Sequence, residues 1–176
     1  MEIEILRSPT DDDWSRCLFL ARVTQGKDTM TVPSVEWRRK ILNAEHSPIR
    51  TLMYTIAMWQ IPYFVSVHLV RHKFGVEHYV KSQRSNPDRG TERQDALVNH
   101  VMDLNVQSLI NISRKRLCFK ADPVTRSVME LIKQKIEDID PLTASFLEPE
   151  CIYRRGCHEF QSCGYYEQRS QNERSL

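Results

Sequence analysis

A fourteen-residue stretch, residues 71–84, constrains this chain more than any other part of its sequence. It contains four lysine or arginine side chains and two histidines, and it directly follows the mostly apolar run Ile61–Val70. Because an apolar run is buried in a core, it fixes one end of the cationic stretch to the folded body of the protein. Clustered cations held in this way attract anions. The stretch therefore predicts a site for an anionic ligand.

Composition limits both the size of the protein and the kind of ligand. A chain of 176 residues with 40% hydrophobic content is long enough for one domain with a real core and short for two. We predict a single catalytic domain at 1–166 and a polar, frayed C-terminal tail at 167–176. The net charge of +2, from 25 basic and 23 acidic residues, is too balanced for generic nucleic-acid binding. A small anionic ligand is the better match.

Other features of the sequence bear on its environment. It contains no run of about 18 apolar residues, the length that a membrane-spanning helix needs. The first residues, Met1–Glu4, lack the basic and apolar regions of a secretory signal. We therefore expect a cytoplasmic protein that binds no membrane. An odd number of cysteines, five, favours reduced thiols over a disulfide framework.

The hydrophobic pattern predicts both strands and helices. We expect strands at Glu2–Leu6 and Leu52–Trp59, and helices beginning after Thr10, near Ser34 and after Pro62, and covering 92–119 and 123–139. In the helix after Pro62, His68 and Arg71 fall one turn apart on the same face. Residues 85–90 are typical of a turn. The fold class expected is α/β (α+β), a single domain with a mixed sheet flanked by helices.

Two motifs, and a weaker third, resemble those of one enzyme family. Arg71-His72-Lys73 is followed by Ser82-Gln83-Arg84, and the stretch from Asn105 to Arg126 keeps matching residues at fixed offsets: Asn105, Ser108, Leu109, Asn111, Arg116, Ala121 and Arg126. The third is His46-Ser47-Pro48 ahead of the predicted strand. Together they cover over half of the chain, and they resemble the motifs of the flavin-dependent thymidylate synthases. The resemblance implies that family's fold.

The chain also departs from the family's pattern. Lys73 stands where the family has arginine, and eight residues instead of seven separate it from Ser82. Arg50 and Thr51 replace a glutamate and a histidine, and Gln107 replaces an arginine. Asp122-Pro123-Val124-Thr125 stands in place of Gln-x-Glu-Ile. We interpret the chain as a short, divergent member, and we expect the extra residue before Ser82 to be absorbed in a bulge or longer loop.

The resemblance implies a role for each matched residue. Arg116 is the candidate catalytic residue, because guanidinium polarises the carbonyl groups of a pyrimidine. The implied substrate-binding residues are His68, Arg71, Ser82, Gln83, Arg84 and Arg116. The implied cofactor-binding residues are Ser47, Arg71, His72, Lys73, Asn105 and Asn111. For each residue type, a purely structural role is the alternative: a solvated arginine, a core histidine, a helix-surface asparagine or a serine in a turn.

The activity implied is methylation of dUMP to dTMP with FAD as cofactor, and with NADPH and methylenetetrahydrofolate as co-substrates. Members of the family are homotetramers with shared active sites, so a homotetramer is expected. Two alternatives stay open: a related flavin enzyme acting on another pyrimidine nucleotide, and a non-catalytic protein that binds nucleotide or, through Arg114-Lys115-Arg116, nucleic acid. Cys151, Cys157, His158 and Cys163 offer zinc ligands, but without a Cys-x2-Cys pair we expect no metal.

Overall fold

The computed structural model describes residues 1–81 and 93–174. The helices and strands follow in the order β1 (Glu2–Arg7), α1 (Asp11–Val23), α2 (Val35–Ala44), a 3₁₀ helix (Ser47–Thr51), β2 (Met53–Pro62), α3 (Tyr63–Leu69), β3 (Val76–Val80), β4 (Leu97–Asn105), α4 (Val106–Arg116), α5 (Pro123–Glu137), α6 (Pro141–Ala144), α7 (Glu150–Tyr153) and α8 (Tyr165–Arg174). Ser82, Gln83 and Arg84, and the turn predicted at 85–90, lie outside the described residues.

The described strands form one antiparallel sheet in the order β1-β2-β4-β3. Strand β2 has neighbours on both edges and buries the side chains of Tyr54, Ile56, Ala57, Met58 and Ile61. Its Ile56 lies opposite Ile5 of β1 on one side and opposite Met102 of β4 on the other. The strands predicted at 2–6 and 52–59 are confirmed.

Side-chain caps define where the predicted helices begin. The Thr10 hydroxyl accepts a hydrogen bond from the backbone N–H of Asp13, whose carboxylate accepts one from the backbone N–H of Thr10. Ser34 caps α2, and Asp122 caps α5 ahead of Pro123. A cap of this kind contributes about 1 kcal/mol to stability. The helix starts predicted near Ser34 and at Pro123 are confirmed.

Helix α5 supplies much of the core beside the sheet. Its Val128, Met129, Ile132 and Ile136 are fully buried and fall on one helical face, which packs against β1 and α4. Each such side chain gains about 1.5–3 kcal/mol from leaving water. The α/β (α+β) fold class is confirmed, with the difference that the described strands pair only antiparallel and do not form the mixed sheet that was expected. Among the described residues, none of the helices combines the length and the apolar character that a membrane span requires.

The helix predicted at 92–119 is wrong in its first half. Residues 97–105 form β4, where Val98, His100, Met102 and Leu104 are buried and the residues between them are more exposed. This period of two is the pattern of a strand. The sequence hid this alternation because one of its buried positions is a histidine, His100, and not an apolar residue. Asn105 is consequently the N-cap of α4 and does not lie on one helix with Asn111.

Two helix ends also differ from expectation. Helix α3 stops at Leu69, so Arg71 lies beyond the helix that was predicted to carry it. The tail predicted to fray from Glu167 is helical as far as Arg174. The start of α8 is anchored by Tyr165, whose ring stacks on Phe119 with centroids 4.1 Å apart. The domain boundary at 166 stays a prediction.

Candidate functional site

Arg116, the last residue of α4, is held by two hydrogen bonds. Its Nε donates to His72 Nε2 at 3.0 Å, and its Nη2 donates to the backbone oxygen of His68 at 2.6 Å. A neutral ring nitrogen and a carbonyl oxygen are both uncharged acceptors. They fix the direction of the guanidinium without cancelling its charge.

The contact with Arg116 defines the protonation state of His72. Because a guanidinium nitrogen only donates, His72 Nε2 must accept, and the ring is neutral with its proton on Nδ1. Burial, followed by the charges of Arg116 and His78, lowers the pKa of His72 to about 4. His72 therefore orients Arg116 as a neutral acceptor at physiological pH.

Arg71 brings a second guanidinium near the first. Burial and the positive charge of Arg71 lower the pKa of Arg116 below its ordinary value. Within the described part of the chain, neither arginine forms an ion pair with a carboxylate. Two neighbouring cations without a counter-charge favour an anion between them. We call Arg71, Arg116 and His72 the arginine cluster.

His68 joins the arginine cluster to the start of α5. Its ring Nδ1 lies 2.8 Å from the hydroxyl of the buried Thr125, and that hydroxyl lies 3.2 Å from Asp122 Oδ1. The ring of His68 is thus engaged by the protein while its carbonyl orients Arg116. Thr125 is a residue that the sequence reasoning missed, because it stands where the family pattern was broken.

A pocket of about 290 Å³ opens where the turn after the arginine cluster meets the N-terminus of α4. It is lined by Arg50, Phe74, Gly75, Asn105, Gln107, Ser108 and Asn111. Gly75 has φ +67, and a Cβ there would lie 2.3 Å from Asn105 Nδ2, so only glycine suits this position. Asn105 Oδ1 accepts from the N–H of Ser108 at 2.9 Å, and the Ser108 hydroxyl donates to the backbone oxygen of Phe74 at 2.7 Å. The side-chain carbonyl of Asn105 is therefore used in capping, and only its amide nitrogen is left to contact a ligand.

The candidate cofactor-binding residues do not all line one pocket. Asn105 and Asn111 line the 290 Å³ pocket together with Arg50. Ser47 lines a different pocket of about 610 Å³, between α1 and α2. Lys73 is exposed beside the arginine cluster. The structure thus brings Asn105 and Asn111 together and does not bring Ser47 to them.

Arg114, two residues before Arg116, belongs to another cluster. It forms an ion pair with Glu45, also donates to it at 3.3 Å, and lies over the ring of Tyr153, 3.4 Å from the centroid. Gln107 Nε2 donates to the same carboxylate at 2.6 Å. Burial alone raises the pKa of Glu45, but the hydrogen bonds from Arg114 and Gln107 outweigh it and lower that pKa. The charge of Arg114 is compensated inside the protein.

A cavity of about 80 Å³ gathers thiols near the C-terminus. It is lined by the side chains that the sequence indicated and also by Cys118. Burial, followed by the neighbouring Cys118 and Cys157, raises the pKa of Cys151. Over residues 1–81 and 93–174, no group of three or more His, Cys, Asp or Glu side chains is arranged to hold a metal ion. The cavity therefore holds clustered thiols without a coordinating geometry.

Comparison with known proteins shows similarity of fold without similarity of sequence. No family model matches the chain, and no curated protein matches it. Two solved structures of flavin-dependent thymidylate synthase ThyX from Helicobacter pylori, both with FAD and dUMP, match at TM-score 0.67 with 14% and 13% identity. The matches cover 84% and 86% of this chain and 100% and 99% of those chains.

A third structure matches almost as well. The UMP/dUMP methylase PolB from Streptomyces cacaoi, bound to 5-Br dUMP, matches at TM-score 0.65 with 12% identity, over 82% of this chain and 93% of that chain. At such identities the likeness shows the fold. This chain is therefore a mixed α/β protein with the fold of ThyX.

Proposed function

We propose that this chain methylates the pyrimidine of dUMP in the manner of a flavin-dependent thymidylate synthase. The observation that carries the proposal is the arginine cluster: two guanidiniums, one oriented by neutral acceptors, with no carboxylate paired to either in the described residues. The fold shared with three solved structures of two nucleotide-bound enzymes, ThyX and PolB, supports it. The matched motifs of the sequence lead to the same residues.

In the proposed reaction, the arginines bind and polarise the nucleotide. Arg71 meets an anionic group such as the phosphate, because guanidinium offers paired donors to its oxygens. Arg116 donates to a pyrimidine carbonyl and stabilises the negative charge that develops there. His72, neutral and fixed, keeps Arg116 aimed at that oxygen. Ser82, Gln83 and Arg84 are proposed to complete the substrate contacts.

The chemistry of the pocket fits FAD. Its donors are the Arg50 guanidinium, suited to a diphosphate, and the amides of Asn105 and Asn111. Phe74, 93% exposed beside Gly75, offers an aromatic surface for a planar ring. Bound there, the flavin would supply hydride-transfer chemistry. Lys73 and His72 adjoin this pocket in the chain, whereas Ser47 would contact the same cofactor only from another surface or subunit.

Oligomer and co-substrates complete the proposal. We infer a homotetramer with shared active sites in the cytoplasm, using NADPH and methylenetetrahydrofolate. Among the described residues, Arg50 and Phe74 line the 290 Å³ pocket and are exposed, so another copy could contact the pocket on that side. Sedimentation of the purified protein tests this assembly.

Product analysis tests the function. The purified protein, supplied with FAD, NADPH, methylenetetrahydrofolate and dUMP, is expected to form dTMP, and its visible spectrum is expected to show bound flavin. UMP is assayed in parallel, since PolB is a methylase of both UMP and dUMP. Absence of both flavin and nucleotide binding in the assembled protein would refute the proposal. Binding of dUMP without product would favour a non-catalytic nucleotide-binding protein.

A further inference from the structure

Two histidines, His78 and His100, form a hydrogen-bonded row that ends at the backbone of His72 in the arginine cluster. His78 of β3 and His100 of β4 point to the same face of the sheet, since His78 lies opposite Met102 and His100 is two residues away. His78 Nδ1 is 3.0 Å from His100 Nε2, and the ring centroids are 5.1 Å apart. On its other side, His78 Nε2 is 2.8 Å from the backbone oxygen of His72.

The acceptors in this row define where its protons lie. A carbonyl oxygen only accepts, so His78 Nε2 carries a proton and donates it to His72. When His78 is neutral, its Nδ1 accepts a proton that His100 Nε2 donates. His100 is then left with a bare Nδ1, and that buried atom has no partner among the described residues.

A protonated, cationic His78 would leave a less favourable unpaired group on His100 in the core. A cationic His78 would donate from Nδ1, so His100 would accept at Nε2 and carry an unpartnered N–H on Nδ1. Buried N–H groups without a partner are rarer than buried acceptors without one. The geometry therefore favours neutral rings for both histidines. In that state His100 donates to His78, and His78 donates to the His72 carbonyl.

The row ends at the group that orients Arg116. The backbone of His72 is held by His78, and its ring accepts from Arg116 Nε at 3.0 Å. His100 is fully buried on β4, the strand that lies between β2 and β3. The row is therefore fixed at the end away from His72. Movement at His78 would reach Arg116 through a single residue.

We propose that His78 and His100 are positioning residues, which hold the His72 backbone so that its ring accepts from Arg116 and directs that guanidinium to the substrate. This inference deepens the proposed function and, for its nucleotide arm, rests on it. Neither histidine contacts the 290 Å³ pocket. Their effect is exerted through His72.

A matched pair of variants isolates the contact. In His78→Gln the amide nitrogen can take the place of Nε2 and still donate to His72, whereas in His78→Asn the shorter amide takes the place of Nδ1 and cannot reach that carbonyl. Both variants keep a polar side chain at the same site. Tyr79→Phe, on the exposed side of the same strand, is the control.

Two measurements test the positioning role and the proposed function independently of each other. Nitrogen NMR of the imidazoles reports the tautomer of His72 without any nucleotide, and dUMP titration reports affinity. In His78→Asn we expect His72 to lose its pure Nδ1–H state and Kd for dUMP to rise about tenfold, because a misplaced group loses its aligned contacts. His78→Gln and Tyr79→Phe should keep the wild-type tautomer and affinity.

Each outcome of these measurements either supports or overturns the positioning role. A tautomer change confined to His78→Asn supports the inference even if the wild type fails to bind dUMP, a failure that would count against the proposed function alone. An unchanged His72 in a folded His78→Asn variant overturns the inference. Equal losses in the Gln and Asn variants, with lower unfolding midpoints, would show a structural role and overturn it too. If His78→Asn does not fold, His100→Gln and His100→Asn provide the same comparison one step further back.

Discussion

Arg114 and Arg116 stand two residues apart on α4 and meet opposite environments. Arg114 is paired with the Glu45 carboxylate and covered by Tyr153. Arg116 is held by a ring nitrogen and a carbonyl oxygen, both neutral. The charge of Arg114 is compensated inside the protein, whereas that of Arg116 meets no carboxylate among the described residues. Cationic residues in a sequence motif are thus distinguished by the charge of their partners.

The same comparison bears on the basic triplet as a whole. Lys115, between the two arginines, pairs with Glu150 at 3.4 Å. The three side chains therefore point to three different partners and do not form a single basic surface. A nucleic-acid site needs clustered cations that can neutralise several phosphates. This arrangement favours the nucleotide hypothesis over binding of nucleic acid through the triplet.

The largest effect is expected on the Arg114 side, and it concerns stability. Arg114→Ala leaves Glu45 partly buried without its main counter-charge, so the free energy of unfolding should fall by about 3 kcal/mol. Urea unfolding measures it. In the double variant Arg114→Ala/Glu45→Gln, much of the loss should be recovered, and an undiminished loss in the double variant would mean that the ion pair is not its cause.

Arg116→Ala should act on binding instead. Losing a charge-assisted contact is expected to weaken dUMP binding by about 1.5–3 kcal/mol, which is about 10- to 150-fold in Kd. Calorimetry on the folded variant measures this, with Lys115→Ala as a control that removes a neighbouring cation. If Arg114→Ala, despite a native fold, weakened dUMP binding as much as Arg116→Ala, the distinction between the two arginines would be broken.

The two sides should also respond to acid at different pH. The folded-state pKa values of His72 and His100 are lowered from 6.5 to about 4, so both histidines oppose protonation in the folded state. Their contribution to stability is complete above pH 6.5 and is lost as pH falls toward about 4. The loss is at most about 1.4 kcal/mol per pH unit for each histidine. The pKa of Glu45 is lowered from 4.5, so the Arg114 side weakens only below that pH.

Urea unfolding between pH 7.5 and 5 measures the histidine contribution. His100→Gln should flatten the slope of the free energy of unfolding against pH, because it removes a histidine whose pKa is lowered in the folded state. Wild-type stability that is constant from pH 6.5 to 5 would contradict the neutral state assigned to His72.

Local pattern made part of this structure predictable. Thr10, Ser34 and Pro123 marked helix starts because a cap acts on residues within one turn. Leu52–Trp59 marked a central strand because it is rich in apolar and β-forming residues. The matched motif also placed Arg116 on a helix. These features depend on neighbours in sequence, which a single sequence displays.

Contacts between distant residues were not predictable in the same way. Arg116 meets His72 across 44 residues, and His68 meets Thr125 across 57. Strand β4 was mistaken for helix because its alternation includes a buried histidine, His100, which composition alone would place outside. The roles of His78 and Thr125 depend on that strand and on the start of α5, so they emerged only with the fold.

The smallest effect should come from Thr125, which acts on Arg116 only through His68. Thr125→Val keeps the shape of the side chain but removes the hydroxyl that lies 2.8 Å from His68 Nδ1 and 3.2 Å from Asp122. The loss of one hydrogen bond should lower the free energy of unfolding by about 1 kcal/mol, since Asp122 still accepts from the Thr125 backbone N–H and the helix cap survives. Affinity for dUMP should fall less than in Arg116→Ala, because the backbone oxygen of His68 still accepts from Arg116. Thr125→Ser, which keeps the hydroxyl, is the matched control and should retain wild-type affinity. If Thr125→Val instead weakened dUMP binding as strongly as Arg116→Ala at unchanged stability, the ring of His68 would have to contact the substrate itself.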